Sequence, residues 1–182
     1  MLHNGRRARM VAVLLGLVVG IGGFVVDRAV ADEPSPAALA ARSQPLVSGT
    51  PCSISARSCV DLDSQKAWLI DNGKVVRGPV KIASGGPGKE TPVGHSFRVY
   101  RKEKDYKSQE FRLPNGQPAP MPWSVFFADG GIAFHSGDPA RASAGCVHLP
   151  PADAQVWFDH LQIGDQVQVV KGAEERAARG EN

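Results

Sequence analysis

Cysteine is scarce in this sequence. There are three in 182 residues, none in a Cys-x-x-Cys pair, so a thioredoxin-like redox centre is excluded. Repeated zinc-knuckle spacing is missing as well, and a site built on His135, Cys146 and His148 would want a fourth ligand. Net charge is missing from most of the chain. The formal +3 is the excess of Arg6, Arg7, Arg9 and Arg28 over Asp27, all near the N-terminus. Without that segment the charges balance, which gives nucleic-acid binding no support. Internal repeats are absent and helical periodicity is rare. The glycine-rich "SGGPGK" at 84–89 lacks what a phosphate loop needs: Pro87 removes a donor, no Lys-Ser/Thr pair follows, and no helix pattern succeeds it. It reads as a turn.

What is present falls into four segments. Residues 1–31 place arginines ahead of an apolar run, Val11 to Val26, and then Ala29-Val30-Ala31, the order of a secretory signal. A helix over that run would extend about 24 Å against a bilayer core of about 30 Å, so a signal peptide and an N-terminal membrane anchor both remain open. Either puts the rest of the chain outside the cytoplasm, with membrane contact only through this segment. Residues 32–50 are rich in Ala, Pro and Ser and read as a linker. Residues 51–171 read as one domain, and the charged 172–182 as a flexible tail.

Within the domain the pattern is mainly β. Apolar residues alternate on both sides of Asp71-Asn72-Gly73, a strong hairpin signal. "TPVGHSFRVYRKE" alternates as a further strand, and "MPWSVFFADGGIAFHSG" offers two more runs divided by "ADGG". The helix signal starts at Pro150-Pro151, with Val156, Trp157 and Leu161 on one face and Gly164 as the stop. "DQVQVVKG" closes as a strand. Trp68 and Trp157 read as core residues. The run 101–110 reads as a solvated face or a cap over a site. Cys52 and Cys59 stand seven apart, which in an oxidising compartment reads as a disulfide constraining the unfolded chain by about 2.5 kcal/mol. Two unrelated buried thiols are the alternative.

Cys146 is then the odd thiol. Cysteine attacks as its thiolate and needs a base or a positive charge beside it. His135 ends a strand, and a small-residue loop leads from it to Ser143-Ala144-Gly145-Cys146, so the loop can bring base and thiol together. The Gly145 and Cys146 N–H groups suit an oxyanion hole, and a helix beginning soon after would favour a thiolate. From spacing alone a buried structural cysteine and a metal ligand stay open.

Three stretches in order, "TPVGHSFRV" (91–99), "GIAFHSG" (131–137) and "SAGCVHLPPADAQVWFDHLQIGDQVQVV" (143–170), resemble the L,D-transpeptidase catalytic domain of bacterial cell-wall enzymes. The resemblance covers roughly 57–171. It implies a β-sandwich or barrel-like fold with one or two short helices, and no cofactor or metal. It implies that Cys146 attacks the third-residue carbonyl of a peptidoglycan stem, releasing D-alanine and forming a thioester. A second stem resolves that thioester in transpeptidation, and water in an L,D-carboxypeptidase. By the same resemblance His135 is the base, the Ser136 carbonyl orients it, and Gly145 and Cys146 form the oxyanion hole. Gly130, Gly131 and His148 line the substrate site, and carbapenems acylate the thiol. Trp123 reads as groove lining or as packing. Two departures stand out. Ala144 replaces the family's histidine, which raises the alternative of a silent wall-binding module, and the ten-residue separation of His135 from Cys146 is short.

Overall fold

The structure, a computed structural model, describes residues 33–180; the proposed signal or anchor at 1–31 lies outside them. Two mixed sheets face each other across one core. The first has the order β3-β2-β1-β9-β4, from Lys74–Lys81 (β3), Lys66–Asp71 (β2), Ser58–Asp61 (β1), Gln166–Val170 (β9) and Gly94–Arg98 (β4). The second has the order β5-β6-β7-β8, from Arg101–Arg112 (β5), Pro118–Ala128 (β6), Ile132–Ser136 (β7) and Val147–Leu149 (β8). Helix α2, Pro151–His160, packs on β6 and β7. The mainly-β expectation holds, with three short α-helices among the described residues where one or two were expected.

Alternation explains the core. Leu69 and Val60 from the first sheet meet Val125, Phe127, Phe134, Val147 and Leu149 from the second, and α2 adds Trp157. Residues on one strand face are two apart, so each strand sends every second side chain into this layer. Trp157 is fully buried and its indole N–H donates to Ser58 Oγ at 3.1 Å. The expected helix face is corrected in one position: Val156 is exposed, and the buried stripe is Ala154, Trp157 and Leu161. At about 100° per residue these three share a side, while Val156 is turned away from Trp157.

The hairpin at 71–73 forms as expected between β2 and β3, with Asn72 and Gly73 both at positive φ, 47° and 71°. This is the left-handed pair that a primed two-residue turn requires. Where the sequence suggests one strand over 91–103, the structure has two. Val99 N–H donates to Asp165 O and Tyr100 N–H to Phe126 O, so the chain changes sheets between these residues. Cys52 and Cys59 are joined, with Cα atoms 5.8 Å apart, in a smaller cluster with Val47, Trp68, Ile70 and Val170.

The two flanking segments are more ordered than their composition suggests. Pro36–Arg42 forms helix α1, capped by the Ser35 hydroxyl, within the stretch read as linker. Gly172–Ala178 forms helix α3 within the stretch read as tail. They meet at Glu175, which is 2% exposed. Its carboxylate accepts from Arg42 Nε (3.1 Å) and Arg179 Nε (3.0 Å) and pairs with His95 Nε2 (2.9 Å). Arg179 also donates to the carbonyls of Ala41, Arg42 and Gln44, the exposed end of α1. Burial pushes Glu175 up, but His95 and the two arginines outweigh it and hold the carboxyl below its usual range. Among the described residues no helix is long and apolar enough to cross a membrane.

Candidate active site

Strands β7 and β8 run parallel, with Phe134 beside Val147, His135 beside His148 and Ser136 beside Leu149. Parity then sorts the side chains. Phe134, Val147 and Leu149 are fully buried in the core. His135, His148 and Cys146, two residues before His148, share the opposite face. The short loop from Gly137 thus returns the chain so that Cys146 directly precedes the strand paired with that of His135.

His135 is 6% exposed, and its Nδ1 lies 2.8 Å from the Ser136 carbonyl. A carbonyl only accepts, so Nδ1 carries the proton and Nε2 keeps its lone pair. Burial pushes the imidazole down to about 4, with the Ser136 carbonyl opposing and the neighbouring His148 adding to the effect. Burial likewise pushes the Cys146 thiol up, against a contact from the Ala133 amide, and the Glu110 charge pushes the same way as burial. Both groups rest neutral near pH 7. The sequence-level idea that a helix N-terminus favours the thiolate is not realised. β8 intervenes, placing the start of α2 about 17 Å of extended chain from Cys146, beyond the reach of a first-turn dipole.

The remaining predicted residues divide. Gly131 is in the site, its carbonyl 3.8 Å from Cys146 Sγ. Gly130 precedes it in a 3-10 turn at Asp129–Gly131, both glycines at positive φ. His148 stands edge-on to His135, ring centres 4.9 Å apart, and its Nδ1 lies 3.3 and 3.2 Å from the carbonyls of Asp138 and Arg141. It braces the loop, and Gly137 makes room for it: a Cβ there would lie 2.6 Å from the imidazole. Trp123 packs against the core. It packs edge-on to Phe158 of α2 with Lys104 over its ring. Parity explains this, since Val125, two residues on, pairs with the core-facing Phe134. Among the described residues no group of three or more His, Cys, Asp or Glu is arranged to hold a metal.

The nucleophile turn is held by polar contacts. Ser143 Oγ donates to the Cys146 carbonyl and accepts from Gly145 N–H at 3.0 Å. Of the two expected oxyanion donors, that of Gly145 is therefore taken up inside the turn. Thr91 Oγ1 donates to Gly145 O at 2.8 Å and accepts from Gly85 N–H at 2.9 Å. Gly145 has φ 115° and no space for a side chain, because a Cβ would lie 2.6 Å from Ile132. The 84–91 segment, read from sequence only as a turn and a strand start, is the wall behind Cys146: Ser143 N–H donates to Ser84 O and Gly86 N–H to Ser143 O.

The family model of the L,D-transpeptidase catalytic domain matches residues 55–169, more than half of the chain and all of this site. The chain belongs to that family. Its L,D-transpeptidase relatives agree. L,D-transpeptidase 1 of Mycobacterium tuberculosis is 29% identical over 112 residues, covering 54% of this chain and 44% of the relative. An L,D-transpeptidase crystal structure from Stackebrandtia nassauensis superposes with a TM-score of 0.55 at 29% identity, over 62% of this chain and 54% of that one. A cysteine-to-serine mutant of the Enterococcus faecium L,D-transpeptidase gives 0.54 at 28% identity, over 63% and 49%. The chain spans about half the length of these relatives. The fold is that of L,D-transpeptidase catalytic domains.

Proposed function

We propose that this protein is an exported L,D-transpeptidase that acylates Cys146 with a peptidoglycan stem peptide and transfers the acyl group to an amine. The observation that carries the reading is the free thiol of Cys146 set on one sheet face with an imidazole whose tautomer is fixed for base catalysis. Cys146 Sγ attacks the carbonyl before the terminal D-alanine as its proton passes to His135 Nε2. The C–O π pair moves to oxygen, and the Cys146 N–H supports that charge. The carbonyl re-forms, the C–N bond breaks, and the D-alanine amine leaves with the proton from His135. An acceptor amine on a second stem then attacks the thioester and gives its proton to His135. The thiol is released and reprotonated.

Because both groups rest neutral, the proton moves with attack rather than before it. The Cys52–Cys59 disulfide supports an extracytoplasmic setting. The ordered Ser143 and Thr91 contacts support an intact nucleophile turn despite Ala144. A carbapenem presents a strained amide carbonyl to the same thiol. Incubation with a carbapenem or a tetrapeptide stem is expected to add one acyl mass to the wild type and none to Cys146→Ala. An adduct that survives in the alanine variant would sink the assignment. Product analysis with and without an acceptor stem separates transfer from hydrolysis.

A further inference from the structure

Thr91 is 3% exposed and lies 54 residues from the glycine it contacts. Its hydroxyl has one proton, and that proton goes to the Gly145 carbonyl. The same oxygen accepts from Gly85 N–H, so the side chain is held from both sides and swinging it away would break both bonds. Gly85 itself is fixed: a Cβ there would lie 1.9 Å from the Lys89 carbonyl.

The Gly145 carbonyl and the Cys146 N–H belong to one planar, trans peptide unit. Their dipoles point in opposite directions from the same plane. Holding the carbonyl toward Thr91 therefore turns the Cys146 N–H away from it. Among the described residues no acceptor takes that N–H, whereas the Gly145 N–H is already committed to Ser143. At φ 115° Gly145 is a residue around which this peptide could otherwise swing.

We propose that Thr91 is a positioning residue for acyl transfer, acting through the Gly145–Cys146 peptide to aim the Cys146 N–H at the developing oxyanion. The inference rests on the acyl-transfer reading above. It separates two things that a merely structural threonine would couple: the reactivity of the thiol and the stabilisation of a tetrahedral intermediate.

The test uses two electrophiles. Carbapenem acylation passes through an oxyanion; iodoacetamide alkylation displaces iodide and builds none. Thr91→Val keeps the shape and removes the hydroxyl. Its saturating carbapenem acylation rate is expected to fall by about tenfold or more with little change in half-saturating concentration. Its iodoacetamide rate should stay within about twofold of wild type. Thr91→Ser restores the donor and should restore acylation. If the valine variant does not fold, Thr91→Ala carries the same comparison. Equal acylation by wild type and the hydroxyl-free variant overturns the inference alone, and so does a parallel loss in both reactions. A wild type that takes no acyl group overturns the functional reading, and this inference with it.

Discussion

Acidification should act on this protein through one buried imidazole. His135 is 6% exposed, pinned by the Ser136 carbonyl and edge-on to His148. Its folded pKa lies at about 4 against an ordinary 6.5. Because the folded value is the lower one, the unfolded chain takes up the proton first as pH falls. The stability tied to neutral His135 is complete above 6.5, declines between 6.5 and about 4, and is gone below. The full span corresponds to about 3 kcal/mol. Urea unfolding of wild type and His135→Gln at several pH values isolates this contribution, since glutamine retains a donor for Ser136 and does not titrate. Between about pH 7.5 and about pH 4 the wild type should lose roughly 3 kcal/mol more than the variant. The His135 ring resonance, followed by NMR, should titrate near 4. Parallel stability curves, or a ring titrating near 6.5, would refute the reasoning.

Three further outcomes follow from packing and pairing. Trp157→Ala should cost about 3–5 kcal/mol in chemical denaturation, because a fully buried indole is replaced by a cavity; a loss below about 1 kcal/mol would contradict its place in the core. Glu175→Ala leaves Arg42 and Arg179 without their shared carboxylate and should cost about 3 kcal/mol, read as a lowered urea midpoint. Glutamine at that position should recover part of the loss, since its single amide oxygen can still accept from one arginine. Reducing Cys52–Cys59, or replacing both by alanine, should lower stability by about 2.5 kcal/mol while leaving acylation of Cys146 unchanged.

Much of the fold was legible because sheet strands write their burial into alternate residues. The β2–β3 hairpin shows in Asp71-Asn72-Gly73, and α2 shows in its proline start. The break at Val99–Tyr100 was not legible: alternation continues through it, and only the partners, Asp165 and Phe126, differ. Helices α1 and α3 were hidden for a related reason. Their stability comes from a carboxylate paired with residues far away in sequence, which no local pattern records. At the site, the residue types around Cys146 pointed to thiol chemistry, but spacing left other readings open. The parallel pairing of β7 with β8 decided which side chains share a face. It placed His148 against the loop, while the β6–β7 register and the contact with Phe158 placed Trp123 beside α2. Ser143 and Thr91 stood in the quoted stretches without a role, because hydroxyls of this kind acquire meaning only from the carbonyl they reach.

The meeting of α1 and α3 sets an order on how the molecule can be completed. Arg179 reaches back across 135 to 138 residues to cap the carbonyls of α1, among the most distant pairings in the fold. Contacts of such separation carry the largest loop-closure entropy and are the slowest to be rewarded. Helix α1 already packs on β4, but its last carbonyls stay uncapped until Arg179 has emerged. The Cys52–Cys59 bridge needs only its own neighbourhood. The domain can be stapled early and locally, yet the caps on α1 wait for α3.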